Sequence, residues 1–276
     1  MKNTEPGRWA LWLNLPVAVL LAAAGLGGLF LPLTYTYSEE NHIHVVQYAG
    51  NDAGNLMLVL PVLIVSASKS LRGSIAARLV LMGTLVYLIY DFLGYALGAH
   101  FNSMYLVYCS ILGLSFYALA GSLLALPIPQ IVGRFSFRTP VKSTSGVLLL
   151  MGAAIVFHWL VKIAPALLEI GTPQAVRDST LITEPIAVLD LAFGGPACII
   201  VAILLLRRKA MGFVLAPILL TFLALSSLVL APMGIAMAWH RIDGGYALCA
   251  IGLGIAAGSV ALLALSLRGG EAAFEG

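Results

Sequence analysis

Residues 85–117 read LVYLIYDFLGYALGAHFNSMYLVYCSILGLSFY. Two apolar runs flank a short polar bend at His100 and Asn102, and the first run carries Asp91. Each run is long enough to belong to a helix crossing a hydrocarbon layer of about 30 Å. The stretch therefore predicts a membrane hairpin with a carboxylate inside its first helix. A carboxylate at that depth is costly unless partners or water compensate it, so what surrounds Asp91 becomes the question.

Outward from this hairpin the chain repeats the same apolar texture. Of its 276 residues 61% are hydrophobic and 10% charged, where a soluble domain carries about 25% charged residues. The expected fold is an all-α, polytopic transmembrane helix bundle forming one integral domain over 1–276. Eight spans are expected, at about 9–31, 53–68, 77–98, 103–127, 144–166, 185–206, 210–238 and 246–268. The second is the weakest, because it is short and carries Pro61; it would begin nearer Val45 if the helix is broken or tilted. The apolar run from Trp9 to Leu31 exceeds the roughly 7–15 residues of a cleavable signal core, which marks it as a retained first span. Pro61, Pro196, Pro217 and Pro232 fall within spans and are expected to kink them or free carbonyls. Gly254 and Gly258 form a small-xxx-small pair suited to close helix packing. No period of repetition is visible in the residues.

Charge orients the bundle. With the N-terminus inside, Lys2, Arg8, Lys69, Arg72, Arg78, Arg134, Arg138, Lys142, Arg207, Arg208, Lys209 and Arg268 fall on the cytoplasmic side, 12 of the 15 basic residues. Arg177 and Arg241 fall in external loops and Lys162 within a span. This asymmetry predicts both termini in the cytoplasm. Glu39, Glu40, Asp52, Glu169, Asp178 and Asp243 go to external loops or helix ends, with Glu184 at the start of span six. Glu5, Glu271 and Glu275 stay cytoplasmic.

All five histidines, His42, His44, His100, His158 and His240, map to the external half. At a rise of 1.5 Å per residue, Asp91 lies roughly 21 Å above the cytoplasmic edge, His158 about 20 Å and Lys162 about 25 Å. Asp190 lies about 8 Å below the external start of its span on the same measure. Tyr87, Asp91 and Tyr95 share one stripe, and His158 and Lys162 another. Phe101, Tyr105, Tyr108, Leu112 and Ser115 make a face able to receive the Asp91 stripe. The candidate ligand-binding or charge-pair residues are Asp91, His158, Lys162, Asp190, Tyr87, Tyr95, His100 and Asn102. Two arrangements stay open at this level. Lys162 neutralises Asp91 or Asp190 as a buried pair, or it snorkels to the interface while Asp190 is hydrated.

Specific chemistries find little support. Cys109, Cys198 and Cys249 lie in apolar runs without CxxC spacing, which argues against a disulfide framework, an iron–sulfur site or a zinc site. His42 and His44, joined by His100 and Asp52, are weak candidates for an external metal site; two residues apart, they suit a loop rather than one helix face. Haem would require His158 to face His100 or His240 across two helices. HExxH and GxxxxGK[ST] are absent. No cofactor and no nucleic-acid partner are expected.

SLRGSIAARLVLMGTLVYLIYDF, GAHFNSMYLVYCSILGLSFYAL and TEPIAVLDLAF together resemble a group of uncharacterised bacterial multi-spanning membrane proteins, over about residues 50–230. The resemblance implies a prokaryotic inner-membrane location and brings no activity or site residues. Three function classes follow from the residues. The first is a protein with an outward-facing polar cavity that binds or translocates a small polar solute or ion. The second is an enzyme acting on lipid or isoprenoid head groups at the external leaflet, with His158 or Asp91 as acid or base. The third is a non-catalytic subunit or sensor whose partner is another membrane chain. The bilayer is a partner in all three.

Overall fold

Backbone N–H and C=O groups cannot be left unpaired in hydrocarbon, so spanning segments close their hydrogen bonds within themselves as helices. The computed structural model describes residues 7–268 except 138, 170, 174, 175 and 178–180, and the backbone alone of 33 and 34. The expectations placed on Lys2, Glu5, Arg138, Asp178, Glu271 and Glu275 lie outside the described residues. Among those described, every regular element is helical. Eight helices are long and apolar enough to cross a membrane: α1 (Arg8–Phe30), α2 (His42–Leu71), α3 (Ile75–Gly98), α4 (Tyr105–Leu124), α5 (Val141–Leu168), α6 (Pro185–Leu206), α7 (Ala210–Trp239) and α8 (Gly245–Leu267). The chain is a multi-pass membrane bundle.

The second span follows the alternative left open for it rather than a start near 53. It begins at His42, close to Val45, because Asn41 caps it: the Asn41 side chain accepts from the His44 N–H at 2.9 Å. His42 and His44, expected in a loop, are therefore helical, and with Asp52 they lie on α2. Pro61 does not break the helix. A π-turn at Asn55–Val59 precedes it, closed by the Leu60 N–H on the Asn55 carbonyl. The widened turn relieves the clash between the proline ring and the carbonyl four residues back, and the missing N–H falls in the first turn of the α-helical segment that follows. α6 repeats this solution, with a π-turn at Asp190–Gly194 ahead of Pro196.

α7 is the most buried helix and α3 the next, while α5 and α8 are the least buried. α7 packs against α8, α2, α3 and α6; α3 against α4, α2, α7 and α6; and α5 against α6. A short helix at Ile128–Phe135 tucks Ile131 and Phe135 against Leu79 and Met82 of α3 and Val214 and Ile218 of α7. Close helix approach occurs elsewhere than at Gly254 and Gly258, where a Cβ would meet nothing within 4 Å. On α8 the tight contacts are Gly245, against the Gly234 carbonyl, and Gly252, against the Ser227 carbonyl of α7. Helical phase explains the correction: Gly252, Ala256 and Ser259 share the buried face, and Gly254 and Gly258 point away from it.

The connections 31–41, 99–104 and 240–244 gather at one end of the bundle. The Glu40 carboxylate accepts from the His100 N–H, Tyr35 O accepts from the Ser103 N–H and hydroxyl, and the His42 and His240 rings meet edge to face at 5.4 Å. The opposite end carries the tight connections 72–74 and 207–209.

Candidate functional site

The π-turn of α2 faces α3 and builds one continuous hydrogen-bonded network. Tyr87, Asp91 and Tyr95, one helical turn apart, line the α3 side. Asn51, Asp52 and Asn55 line the α2 side. Asp91 accepts from the Asn51 amide at 2.9 Å on one oxygen and from the Asn55 amide at 2.8 Å on the other. The Tyr87 hydroxyl donates to Asn55 Oδ1 at 2.8 Å, which orients that amide with its NH₂ toward Asp91. The Tyr95 hydroxyl accepts from Asn51 at 3.0 Å and donates to Asp52 at 2.8 Å. The other Asp52 oxygen accepts from the Tyr37 hydroxyl at 2.6 Å.

Two carboxylates are thus linked through Tyr95 and Asn51, and every donor they engage is neutral. Asp52 is 3% exposed and Asn55 1%, and Asp91 is partly buried. Among the described residues no lysine, arginine or histidine forms an ion pair with either carboxylate. In a low-dielectric interior two adjacent uncompensated negative charges are strongly unfavourable, so the two carboxyls cannot both stay ionised here without a compensating charge. α1 packs directly against the network: a side chain at Gly28 would overlap the Asp52 carboxylate and the Tyr37 hydroxyl.

Aromatic rings wall the network on one side. Tyr48 stacks on Tyr37 at 5.0 Å and tilts against Tyr95 at 5.1 Å, and Tyr108 of α4 packs on Tyr95 at 5.0 Å. Burial and the neighbouring Asp52 carboxylate push the Tyr37 phenol far above its ordinary range, so it is held as a neutral donor.

Above the network lies Glu40, whose side chain is 1% exposed. It accepts the His100 backbone N–H at 2.7 Å. His100 Nδ1 stands 3.1 Å and His44 Nδ1 3.6 Å from its oxygens. Burial pushes the Glu40 carboxyl up, but the His100 backbone N–H and the adjacent His44 and His100 imidazoles outweigh it and leave the group below its ordinary value. Asn102 accepts the Met104 N–H and donates to the His100 carbonyl at 3.0 Å, shaping the bend. His100 and Asn102 therefore hold the connection, while Tyr87, Asp91 and Tyr95 belong to the network.

The other candidates form a second group on α5 and α6. Asp190 heads the π-turn of α6 and accepts from the Trp159 indole at 2.7 Å and the Tyr90 hydroxyl at 3.0 Å. Lys162 is exposed, with its ammonium 5.3 Å from the centre of the Trp159 ring. Exposed His158 meets the same ring edge to face. No ion pair joins Lys162 to Asp91 or Asp190 among the described residues; Asp190 is satisfied by neutral donors instead. A pocket of about 490 Å³ opens beside Trp159 and Lys162, walled by Thr172, Glu184, Val188 and Leu191. His42 and His44 point apart, toward His240 and Glu40 respectively. Among the described residues no three His, Cys, Asp or Glu side chains converge as a metal set.

Sequence reasoning did not single out Asn51, Asn55, Tyr37 or Trp159, and it placed Asp52 outside the spans. The available signal was the i, i+4 spacing of Asn51 and Asn55, which becomes informative once the helix is started at His42. No family model, curated protein or solved structure matches this chain.

Proposed function

We propose that the chain is a multi-pass inner-membrane carrier of the prokaryotic type, in which the Asp52–Asp91 network takes up a proton or small monovalent cation and couples it to movement of a small polar solute. The observation that carries this reading is the pair of linked carboxylates held only by neutral donors. A network built for rigidity alone is better served by amides and hydroxyls, which lock helices without leaving charge to balance. The basic residues flanking the 72–74 and 207–209 connections support a cytoplasmic location for that end and for both termini. The network then lies toward the external leaflet, with the Glu40 cap above it.

The test is linkage. A species bound by the folded state alone stabilises it in proportion to its concentration. Thermal unfolding of the detergent-purified full chain, followed between about pH 5 and pH 9 in sodium, potassium or choline chloride, is expected to depend on pH or on the cation. The Asp52→Asn/Asp91→Asn variant is expected to lose that dependence. Superimposable profiles for the two proteins overturn the reading.

The pocket beside Lys162 favours a second reading: its ammonium and apolar walls suit an anionic lipid or isoprenoid head group. On that reading purified protein retains phospholipid, and Lys162→Met releases it.

A further inference from the structure

We infer that the chain is a tandem pair of four-helix units offset by 135 residues, related by a pseudo-two-fold axis through the α3–α7 crossing, and that solute access opens by rocking of these units about that axis. The access part rests on the carrier reading above; the symmetry does not.

The offset is seen first in the connections. α2 ends at Leu71 and α6 at Leu206; α3 begins at Ile75 and α7 at Ala210, and both pairs differ by 135. Gly73 and Arg208, again 135 apart, both take positive φ, at 89° and 51°. Two of the bonds that close the turns correspond under the same offset. The Gly73 N–H goes to the Ser70 carbonyl and that of Arg208 to Leu205; the Ser74 N–H goes to Lys69 and that of Lys209 to Leu204. For a non-glycine residue such as Arg208 this conformation is disfavoured, so its recurrence points to a repeated turn.

The π-turns correspond too. Asn55-Leu56 stands six residues before Pro61, and Asp190-Leu191 six before Pro196. Each turn closes on its own first carbonyl, by Leu60 N–H and Gly195 N–H, which also differ by 135.

The decisive observations are contacts between the units. A Cβ on Gly50 would lie 2.5 Å from Met233 Cα, sealing α2 against α7. A Cβ on Gly98 would lie 3.2 Å from Pro185 Cγ, sealing α3 against α6. Adding 135 to Gly50 gives Pro185, and adding it to Gly98 gives Met233. The two seams are therefore one contact, made twice with partners exchanged, as a two-fold axis requires. A residue on such an axis meets its own counterpart. Gly83 does so: its Cβ would lie 2.5 Å from the carbonyl oxygen of Ile218, which is 135 residues on. Leu79 and Val214, also counterparts, share the small core beside it. α3 and α7 are the two most buried helices, as an axial pair should be.

Corresponding helices lie four spans apart and run in the same direction, so the axis follows the bundle's length. This is the parallel type of repeat, whose halves rock against each other around a site near mid-depth. The halves have diverged at that site. Asn55 of α2 corresponds to Asp190 of α6, whereas Asp91 of α3 corresponds to Ser226 of α7, whose hydroxyl is turned back onto the Phe222 carbonyl at 2.8 Å. α3 contacts both π-turns, through Asp91 and Tyr87 to Asn55 and through Tyr90 to Asp190. Rocking slides α3 between them. The Gly50–Met233 and Gly98–Pro185 seams, both toward the 99–104 end, are the contacts that part when that end opens.

Spin-label distances on the full chain test this, with Cys109→Ala, Cys198→Ala and Cys249→Ala as background. Labels on Ile43→Cys and Trp239→Cys span the α2–α7 seam, and on Leu97→Cys and Val188→Cys the α3–α6 seam; all four sites are exposed. Arg72→Cys with Arg207→Cys reports the opposite end. Measurements are made at about pH 5 and pH 9, in sodium or choline chloride. The expected result is two distance populations at each seam, whose weights shift together, with the Arg72/Arg207 pair shifting in the opposite sense. Seams that move independently, a single seam that moves, or three unchanging distances overturn the proposal. Joint movement that persists unaltered in Asp91→Asn leaves the rocking intact and defeats the cation reading. Fixed distances with cation-dependent unfolding do the reverse.

Discussion

Tyr95 is a bridge between the two carboxylates, because its one hydroxyl both accepts from Asn51 and donates to Asp52. Tyr95→Phe keeps the ring in its stack with Phe92 and Tyr108 and removes only that link. A buried acceptor deprived of its donor is worth about 1–3 kcal/mol. Unfolding free energy in a detergent–denaturant titration is expected to fall by that amount. Glu40 makes a prediction with a defined sign. Its carboxyl sits below its ordinary value in the folded chain, so the stabilisation it provides is complete above the ordinary carboxylate range of about 4.3. It is lost as pH falls through the lower, folded value. Glu40→Gln is therefore expected to unfold about 1 kcal/mol more easily at neutral pH. Below about pH 4 the gap to the unsubstituted protein should close, which a thermal-unfolding series in acid checks.

At the scale of elements, the α5–α6 seam depends on two glycines. A Cβ on Gly152 would lie 2.8 Å from the Gly195 carbonyl and 2.8 Å from Ile199. Overpacking at a well-packed contact destabilises by about 1–3 kcal/mol. α5 has few other partners, so Gly152→Leu is expected to detach it and speed proteolytic cleavage in the 169–184 connection, while Gly254→Leu on the open face of α8 should leave the cleavage rate unchanged. The number of spans was legible from the sequence, since apolar length is a property of each segment alone. The start of α2 was left between 53 and about Val45, and the structure puts it just ahead of the second, at His42. Residues 42–52 carry His42, His44, Asn51 and Asp52, and their polarity reads as loop until the facing α3 stripe and the Asn41 cap are known. The π-turns were hidden for a related reason: Pro61 announces a disturbed helix but not whether it kinks or widens.

At the scale of the molecule, what could be read was depth, and what could not was azimuth. Asp91, Lys162, His158 and Asp190 were placed at comparable heights, and the pairing of Lys162 with a carboxylate was one of two readings left open. Which way α5 faces is decided by packing of Gly152 on Gly195, a contact between residues that carry no polar signal. The 135-residue repeat escaped notice because most positions on both sides are interchangeable apolar residues, and its evidence lies in turn geometry and reciprocal contacts. One further property follows from the exposure of α5. With 28 residues at 1.5 Å each it is about 42 Å long, against a hydrocarbon layer of about 30 Å. It must tilt or protrude, and α6 is its main protein neighbour. The Trp159–Asp190 hydrogen bond ties this overlong helix to the π-turn of α6, so whatever tilt α5 adopts is felt first at that turn.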